Sequence, residues 1–421
     1  MQIHKVSWMH QANIYEVNIR QYTREGTFAA FATHLPRLKD MGVEIIWLMP
    51  ITPISIEGRL GALGSYYACS SYTDINPEYG TLDDFRKLVE AAHALDMKLI
   101  IDWVANHTGI DHHWTKEHPE YYVLDSEGNF TERNGWKDVI DLNYNNAAMR
   151  MALIEAMQFW VREYKIDGFR CDMAHLVPLD FWITARNSCD SLQPLFWLAE
   201  CEDETYHEVY DVSYAWEWMH LSEKLAKQIA SVQQLKDVVT KYQHYPFEGK
   251  KLYFTSNHDE NSWNGTEYEK YGRFAKAYAV LSCTLPGLPL IYSGQELPNN
   301  RRLKFFDKDE IIWHEQPELH NFYQVLLGLR KKSAAYTKEA FFDFLYTSED
   351  QHIMAYLLHA GDDKVLVVAN LSVNDKVHVK VQHGVLQGKY KSVFSGLDYV
   401  LENEAAFELQ SAEYLVLSTV N

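Results

Sequence analysis

Several features that would point to other classes of protein are scarce or absent in this chain of 421 residues. It has only five cysteines and no C-x-x-C pair, so we expect reduced thiols and no disulfide framework. No window holds 18 uninterrupted apolar residues, and we therefore predict no membrane-spanning helix. Motifs of the H-x-H, H-E-x-x-H or glycine-rich phosphate-loop type are also missing, which removes support for the usual zinc and nucleotide chemistries.

Basic residues are also fewer than acidic ones. Lys and Arg number 39 against 58 Asp and Glu, which gives a formal net charge of −19. This charge disfavours nucleic acid and anionic membrane as partners, whereas a neutral ligand is indifferent to it. The first 30 residues show no basic segment followed by an apolar run, so we expect a cytoplasmic protein. A leader removed earlier would leave no trace, which keeps a periplasmic or secreted location open, and the oligomeric state is not indicated.

Aromatic residues, in contrast, are plentiful. They make up 14% of the chain, with 27 Tyr and 12 Trp, within a hydrophobic fraction of 47%. That fraction allows a large core, and we expect no bulk disorder. A surplus of Tyr and Trp is also typical of sites that stack on the flat faces of sugars.

Strand-like and helical patterns alternate along most of the chain. We predict eight strands at residues 13–22, 43–50, 98–104, 165–173, 195–200, 212–218, 252–257 and 288–293. Helical patterns separate them at residues 28–41, 82–95, 145–164, 221–229, 232–242, 271–285 and 319–332. Alternation of this kind requires parallel pairing with right-handed crossovers, so we predict an α/β protein with a (β/α)8 TIM barrel.

The last part of the chain has a different pattern. Short alternating strands follow one another with no helix between them, which predicts a C-terminal antiparallel β-sandwich domain. We place the catalytic barrel at residues 1–338, with a short loop insertion at 108–144 after strand three, and the sandwich at 339–421.

Charged and polar side chains stand where several predicted barrel strands end. In TIM barrels, catalytic groups occupy these carboxyl ends, where the βα loops converge. The residues at these ends are Asp102, Asn106, His107, Arg170, Asp172, Glu200, His258 and Asp259. Buried carboxylates are costly, so this repeated placement indicates a site rather than structural chance. Three carboxylates with an arginine and two histidines, lacking a convincing metal triad, favour glycosidic bond cleavage over metal-dependent hydrolysis.

Arg170 and Asp172 form the centre of this set. Side chains two residues apart on a strand share a face, so both should point into the same cavity. An arginine in that position orients a carboxylate nucleophile and should lower its pKa. Asp102 is expected to brace Arg170 through a buried ion pair.

Four segments of the chain, DWVANHTG, GFRCDMAH, WLAECED and FTSNHDEN, resemble the four motif regions of the α-amylase family of retaining glycoside hydrolases. They occur in the same order as in the family. The resemblance does not distinguish between the amylase, neopullulanase and oligosaccharide-acting branches of that family. The resemblance implies that Asp172 is the nucleophile, Glu200 the general acid/base and Asp259 the third carboxylate. It also implies substrate-binding roles for Tyr67, His107, Arg170 and His258.

The resemblance implies a function and a candidate metal site. We expect a hydrolase that cleaves α-1,4 bonds of malto-oligosaccharides or starch-derived glucans by double displacement. A glucanotransferase or a sucrose- or trehalose-converting transglycosylase is the alternative, and an inactive sugar-binding relative is the second. The chemistry requires no cofactor, but Asn106 and Asp141 match the side-chain ligands of a structural Ca²⁺ in the family.

Overall fold

A closed parallel barrel forms the larger part of the protein. The computed structural model describes residue 3, residues 5–374 and residues 376–420, so the predicted outer domain limits at residues 1 and 421 lie outside it. The strands of the barrel and its insertion are β1 (Ile14–Val17), β2 (Ile45–Leu48), β3 (Lys98–Trp103), β4 (His107–Gly109), β5 (Val139–Asp141), β6 (Gly168–Cys171), β7 (Phe196–Ala199), β8 (Val212–Tyr214), β9 (Lys250–Tyr253) and β10 (Leu288–Tyr292). The barrel order is β1-β10-β9-β8-β7-β6-β3-β2, which confirms the predicted eight-stranded barrel.

Helices surround the barrel. They are α1 (Ile19–Tyr22), α2 (Phe28–Ala32), α3 (Leu35–Met41), α4 (Leu82–Ala94), α5 (Trp114–Glu117), α6 (Ala147–Tyr164), α7 (Leu179–Asp190), α8 (Trp216–Ala226), α9 (Val232–Gln243), α10 (Glu267–Tyr271), α11 (Ala275–Thr284) and α12 (His320–Lys332). No helix within the described ranges is long and apolar enough to cross a membrane.

The sequence explains where several of these elements begin. Thr81 caps α4 in a reciprocal capping box with Asp84, and Asn146 accepts hydrogen bonds from the first backbone amides of α6. All four residues of β2 are buried, as expected for a parallel strand covered on both faces. Gly168 in β6 runs so close to the Phe196 carbonyl of β7 that a side chain there would collide with it.

Several predicted boundaries were wrong. The strand predicted at residues 13–22 ends after four residues and gives way to α1, and the helix at 28–41 is split into α2 and α3. Helix α7, between β6 and β7, was not predicted, because its apolar residues are interrupted by Arg, Asn and Asp. The insertion carries two short strands, β4 and β5, which pair antiparallel.

Two antiparallel sheets follow the barrel. They contain β11 (Phe341–Phe344), β12 (Tyr346–Thr347), β13 (Ile353–Ala360), β14 (Asp363–Asn370), β15 (Lys376–Gln382), β16 (Gly388–Ser392), β17 (Asp398–Leu401), β18 (Glu404–Gln410) and β19 (Tyr414–Ser418). One sheet has six strands, in the order β11-β13-β14-β19-β16-β17, and the other has three, in the order β12-β15-β18. The predicted C-terminal antiparallel domain is confirmed.

Strand β13 joins two hydrophobic cores. Met354 and Tyr356 belong to the barrel core, whereas Ile353, Ala355 and Leu357 belong to the core between the two C-terminal sheets. Alternate side chains of a strand point to opposite faces, so β13 is buried on both sides. The six-stranded sheet therefore packs on the barrel with one face and on the smaller sheet with the other.

Candidate active site

Arg170 contacts several of the charged side chains at the carboxyl end of the barrel. It lies on β6 beside Asp102 of β3, in register, and its side chain is fully buried. Its Nη1 lies 2.9 Å from both Asp102 Oδ1 and Asp172 Oδ1, and its Nη2 lies 2.9 Å from Glu200 Oε2. The expected pair with Asp102 is therefore present, and one guanidinium holds three carboxylates from three strand ends. Tyr214 of β8 accepts a further hydrogen bond from Arg170 Nε at 3.2 Å.

His258 and Asp259 reach the same cavity from the segment after β9. The strand ends at Tyr253, earlier than predicted, and a short irregular stretch carries the chain on to His258. Nε2 of His258 lies 3.3 Å from Asp259 Oδ2 and 2.8 Å from the Tyr67 hydroxyl. On its other side, Nδ1 lies 2.5 Å from Oε1 of the fully buried Glu16, in β1.

Burial governs the acidity of the carboxyl groups. It raises the pKa of Asp172 above its ordinary value, although the charge of Arg170 opposes the shift. We had expected Arg170 to lower that pKa, an expectation that neglected the cost of removing a carboxylate from water. Burial also raises the pKa of Glu200 against Arg170, and the neighbouring charge of Asp172 adds to the shift. The pKa of Asp259 rises for the same reason, opposed by His258.

The histidines of the cavity differ in charge. Burial alone would lower the pKa of His258, but the charges of Asp259 and Glu16 outweigh it and raise the pKa to about 9. Burial lowers the pKa of His107 to about 4. Near neutral pH, His258 is therefore an imidazolium and His107 is neutral.

Negative groups outnumber positive ones in this cluster. Arg170 and protonated His258 supply the positive charges. The carboxyl groups that contact them belong to Glu16, Asp102, Asp172, Glu200 and Asp259. Carboxylates this close cannot all ionise, so part of the set keeps a proton. Glu200 is well placed to hold one, because the Met173 amide and Arg170 both approach Oε2 and leave Oε1 for the proton.

A cavity of about 540 Å³ opens over these groups. Six of the residues predicted for the site line it, and they are Tyr67, His107, Asp172, Glu200, His258 and Asp259. The roles assigned to them stay predictions, but the structure brings them together. Arg170 lies beneath the cavity floor rather than on its surface.

Other residues of the cavity were not predicted. Trp136 and Asp138 of the insertion form one wall, and Trp263, Phe305 and Phe306 form another. These residues follow no apolar strand closely, so the rule of inspecting strand ends could not find them. Glu16 is the third of the four residues of β1, but the strand was predicted to continue to residue 22, so the same rule missed it.

The candidate calcium ligands lie away from the cavity lining. Arg133 Nε lies 2.6 Å from Oδ2 of the fully buried Asp141, and Asn106 Nδ2 is 3.1 Å from His107 Nδ1. Oδ1 of Asp141 is buried and has no hydrogen-bond partner among the described residues. Calcium takes six to eight oxygen ligands, and a cationic guanidinium already occupies this carboxylate. Arg133 would compete with a calcium at Asp141 Oδ2, whereas Oδ1 stays available, so the calcium at Asn106 and Asp141 stays a prediction.

Comparisons with known proteins define the class. A family model described as alpha amylase, catalytic domain, matches residues 10–137 and 124–192. The structure superposes on a noncanonic maltogenic alpha-amylase, AmyB from Thermotoga neapolitana, with a TM-score of 0.90 and 31% identity, covering 98% of this chain and 99% of that one. An alpha-amylase from Lactobacillus plantarum gives a TM-score of 0.88 and 27% identity, covering 99% and 100%.

Among curated sequences, the alpha-amylase MalA of Haloarcula japonica is 26% identical over 90% of this chain, which spans only 56% of that relative's length. The barrel, its carboxylate cluster and these matches define a glycoside hydrolase. The chain belongs to the α-amylase family.

Proposed function

We propose that the protein is a retaining hydrolase that cleaves α-1,4 bonds of malto-oligosaccharides or related α-glucans. The observation that carries this proposal is the placement of Asp172 and Glu200 on one guanidinium, that of Arg170, in a cavity that also contains Asp259. A retaining mechanism needs a carboxylate nucleophile and a separate protonated carboxyl group.

In the first step, Asp172 attacks the anomeric carbon while Glu200 gives its proton to the leaving oxygen. Arg170 orients Asp172 and balances its charge. Burial raises the pKa of Glu200, and the charge of Asp172 adds to the shift, which favours the protonated form that acts as the acid. Asp259, beside the imidazolium of His258, accepts hydrogen bonds from sugar hydroxyls and favours the distorted, cation-like sugar.

In the second step, Glu200 acts as a base. It has lost its proton to the departing sugar, so it can take one from water as the water attacks the glycosyl-enzyme. Asp172 then leaves with its charge restored. Two inversions at the anomeric carbon give net retention, and the two carboxyl groups should lie about 5–5.5 Å apart.

The substrate class rests on chemistry and on relatives. A net charge of −19 suits a neutral substrate, and a cavity with aromatic walls suits sugar rings. The Thermotoga relative is named as maltogenic, and the other two relatives as alpha-amylases. We extend that substrate class, α-glucans, to this chain as part of the proposal.

Transglycosylation is the second candidate, favoured by one observation. Trp136 lies against His107 with ring centroids 5.1 Å apart, on the cavity wall formed by the insertion. An aromatic ring there can hold a second sugar in place of water. Hydrolysis and transfer share the proposed glycosyl-enzyme, and the shape of the loops decides whether water or a sugar attacks it.

The test uses purified enzyme with maltoheptaose, a panel of α-glucans, and sucrose, with and without added glucose. We expect shorter maltosaccharides whose new reducing ends are first released as the α-anomer, seen by proton NMR. Initial release of the β-anomer contradicts retention. Products longer than the substrate, or mixed disaccharides, show that transfer rather than hydrolysis is the main reaction, and no turnover of any sugar favours an inactive sugar-binding relative.

A further inference from the structure

A small polar cavity lies between the amino end of the barrel and the C-terminal domain. It has a volume of about 40 Å³, and its lining includes Lys250, the first residue of β9, and residues of β11 and β13. The candidate active site, in contrast, lies at the carboxyl ends of the strands. We define the basic cavity by His10, Lys250, Arg330 and Tyr336, which line it, and its described lining contains no carboxylate. A space of this size holds about three waters or one small oxyanion.

Arg330 of α12 is buried in this cavity without a counter-ion among the described residues. Both of its Nη atoms donate to neutral backbone carbonyl groups, including those of Cys283 and Gly287. Its Nε is buried and has no described hydrogen-bond partner, and the same holds for the hydroxyl of Tyr336, whose ring centroid lies 4.5 Å from Arg330 Cζ. The carbonyl groups account for an arginine near the end of α11, but they do not neutralise its charge. A buried cation in this state is costly, which favours the binding of an anion.

Lys250 is a second cation without a partner among the described residues. Its side chain is half-buried, and its Nζ makes no hydrogen bond or ion pair with them. Burial lowers the pKa of Lys250, and the charge of Arg330 lowers it further. Burial also lowers the pKa of His10 to about 4, and the charges of Lys250 and Lys338 add to that shift. The basic groups therefore repel one another, and an anion between them would relieve that repulsion.

The carboxylates that act on these charges do not compensate them. Glu44 Oε1 lies 2.8 Å from Lys331 Nζ, so this carboxylate is already paired. Glu248 Oε2 lies 2.8 Å from Lys338 Nζ, and Glu339 is exposed to solvent. The basic cavity thus keeps an excess of positive charge, although the chain as a whole carries a net charge of −19.

A larger cavity of about 200 Å³ shares part of this lining. His10, Gln243 and Lys250 line both cavities, and Lys251 adds a further basic side chain to the larger one. Gln243 is exposed, so the larger cavity reaches the protein surface. An oxyanion in the basic cavity would therefore have room beside it for an attached organic group.

We propose that the basic cavity binds a phosphate group, either inorganic phosphate or the phosphate of a phosphorylated metabolite. A tetrahedral oxyanion presents several acceptor oxygens, which suit the separate donors of Arg330 Nε, Lys250 Nζ and the Tyr336 hydroxyl. Its charge of about −1.5 to −2 near neutral pH matches two cations better than the single charge of chloride does. The basic cavity lies away from Asp172 and Glu200, so the inference does not depend on the proposed function.

The test titrates inorganic phosphate into the full chain by isothermal titration calorimetry, at constant ionic strength set with chloride. We expect saturable binding of a single phosphate, and a melting temperature that rises with phosphate concentration, because a ligand that binds only the folded state stabilises it. Absence of saturable binding would overturn the proposal, since the cavity would then hold only water. Chloride that raises the melting temperature as much as phosphate does would also overturn it.

Lys250→Met removes a cation that has no described polar contact to lose. We expect phosphate to bind this variant about tenfold or more weakly, the effect of losing one charge-assisted hydrogen bond. The melting temperature without phosphate should stay the same or rise, because repulsion with Arg330 is relieved. Lys376→Met is the matched control, because Lys376 also begins a strand, β15, but is half-exposed and pairs with Glu408. It should bind phosphate as the wild type does.

Gln243→Glu is a second variant for the case in which Lys250→Met does not fold. It places a carboxylate at the exposed edge of the lining and should weaken phosphate binding about threefold or more. Unchanged affinity in the variant that folds would overturn the proposal. Competition with glucose 1-phosphate identifies the source of the phosphate group. Displacement of bound phosphate supports a phosphorylated metabolite as the ligand, and no displacement supports inorganic phosphate.

Discussion

At the scale of single residues, the contact between Glu16 and His258 fixes the charge of one cavity wall. Both side chains are buried, and although burial and the charge of Arg170 lower the pKa of His258, the negative charges of Asp259 and Glu16 raise it to about 9. The imidazolium donates from Nδ1 to Glu16 and from Nε2 to the Tyr67 hydroxyl, 2.8 Å away, and Asp259 Oδ2 lies 3.3 Å from the same Nε2. Above its pKa the ring keeps the first hydrogen bond and loses the second, so activity should decline as pH rises through about 9.

Glu16→Gln tests this account. It keeps the size of the side chain and removes its charge, so the pKa of His258 should fall by about one unit or more. We expect the alkaline limb of kcat/KM to move to lower pH by the same amount, with NMR titration of the His258 ring showing the matching shift. Asp40→Asn, on the barrel exterior, is the control. An unmoved alkaline limb together with an unmoved ring pKa would show that Glu16 only fills space.

The three carboxylates should differ in their dependence on the leaving group. Glu200→Gln removes the proton donor, so it should lose about 10²–10⁴-fold on a natural glucan and much less in glycosyl-enzyme formation from an α-glucosyl fluoride. Asp172→Asn and Asp259→Asn should be poor on both, because neither acts on the leaving group. Rates on maltotetraose and on the fluoride, with and without azide, make the comparison. Azide rescue of Asp172→Asn with retained configuration, rather than of Glu200→Gln, would reverse the two assignments.

At the scale of elements, an ion pair joins two segments of the insertion. Arg133 and Asp141 pair at 2.6 Å, with Asp141 fully buried and the arginine side chain 61% exposed. Arg133→Ala leaves a buried carboxylate without its cation, which should cost about 1–3 kcal/mol of stability. Arg150→Ala removes an ion pair whose carboxylate, that of Asp180, is 69% exposed, so it should cost less than about 1 kcal/mol. Denaturant unfolding followed by circular dichroism measures the free energy of unfolding of both variants. Equal losses would show that the burial of Asp141 does not add to the stabilisation by its ion pair.

Removal of metal by a chelator tests whether calcium binds beside Arg133 and Asp141. Metal bound only to the folded state raises the melting temperature. Because the guanidinium of Arg133 already occupies Asp141, we expect thorough chelation to leave the wild-type melting temperature unchanged. A drop that is restored by added calcium would contradict this and support the calcium predicted at Asn106 and Asp141.

Sequence patterns predicted the elements better than their ends. The apolar run of β2 predicts a buried strand, and Thr81 predicts the start of α4. Both predictions succeed because hydrophobic periodicity and helix capping depend only on residues close together in the sequence. Asp172 and Glu200 were found because each follows a buried strand directly. Phe305 and Trp263 depend on how two loops meet, which is set by contacts far apart in the chain. Local patterns carry no information about such contacts.

At the scale of the whole molecule, the barrel and the C-terminal domain share a core. The Tyr356 hydroxyl of β13 lies 2.5 Å from Thr284 Oγ1 of α11, with both side chains buried. Because the alternation along β13 sends Met354 and Tyr356 into the barrel core, separating the two parts would expose a large apolar face. We therefore expect the two parts to unfold together, in a single calorimetric transition.

Two matched tyrosine substitutions test this coupling. Tyr356→Phe removes the interdomain hydrogen bond and keeps the ring, so it should cost about 0.5–1.5 kcal/mol. Tyr390→Phe removes a hydrogen bond of 2.8 Å to Leu386, within the core between the two C-terminal sheets. If the domains unfold as one unit, both variants lower the same transition, measured by calorimetry and by loss of hydrolytic activity on heating. Two separate transitions, with activity lost only at the one that neither variant moves, would show that the barrel is stable without its C-terminal partner.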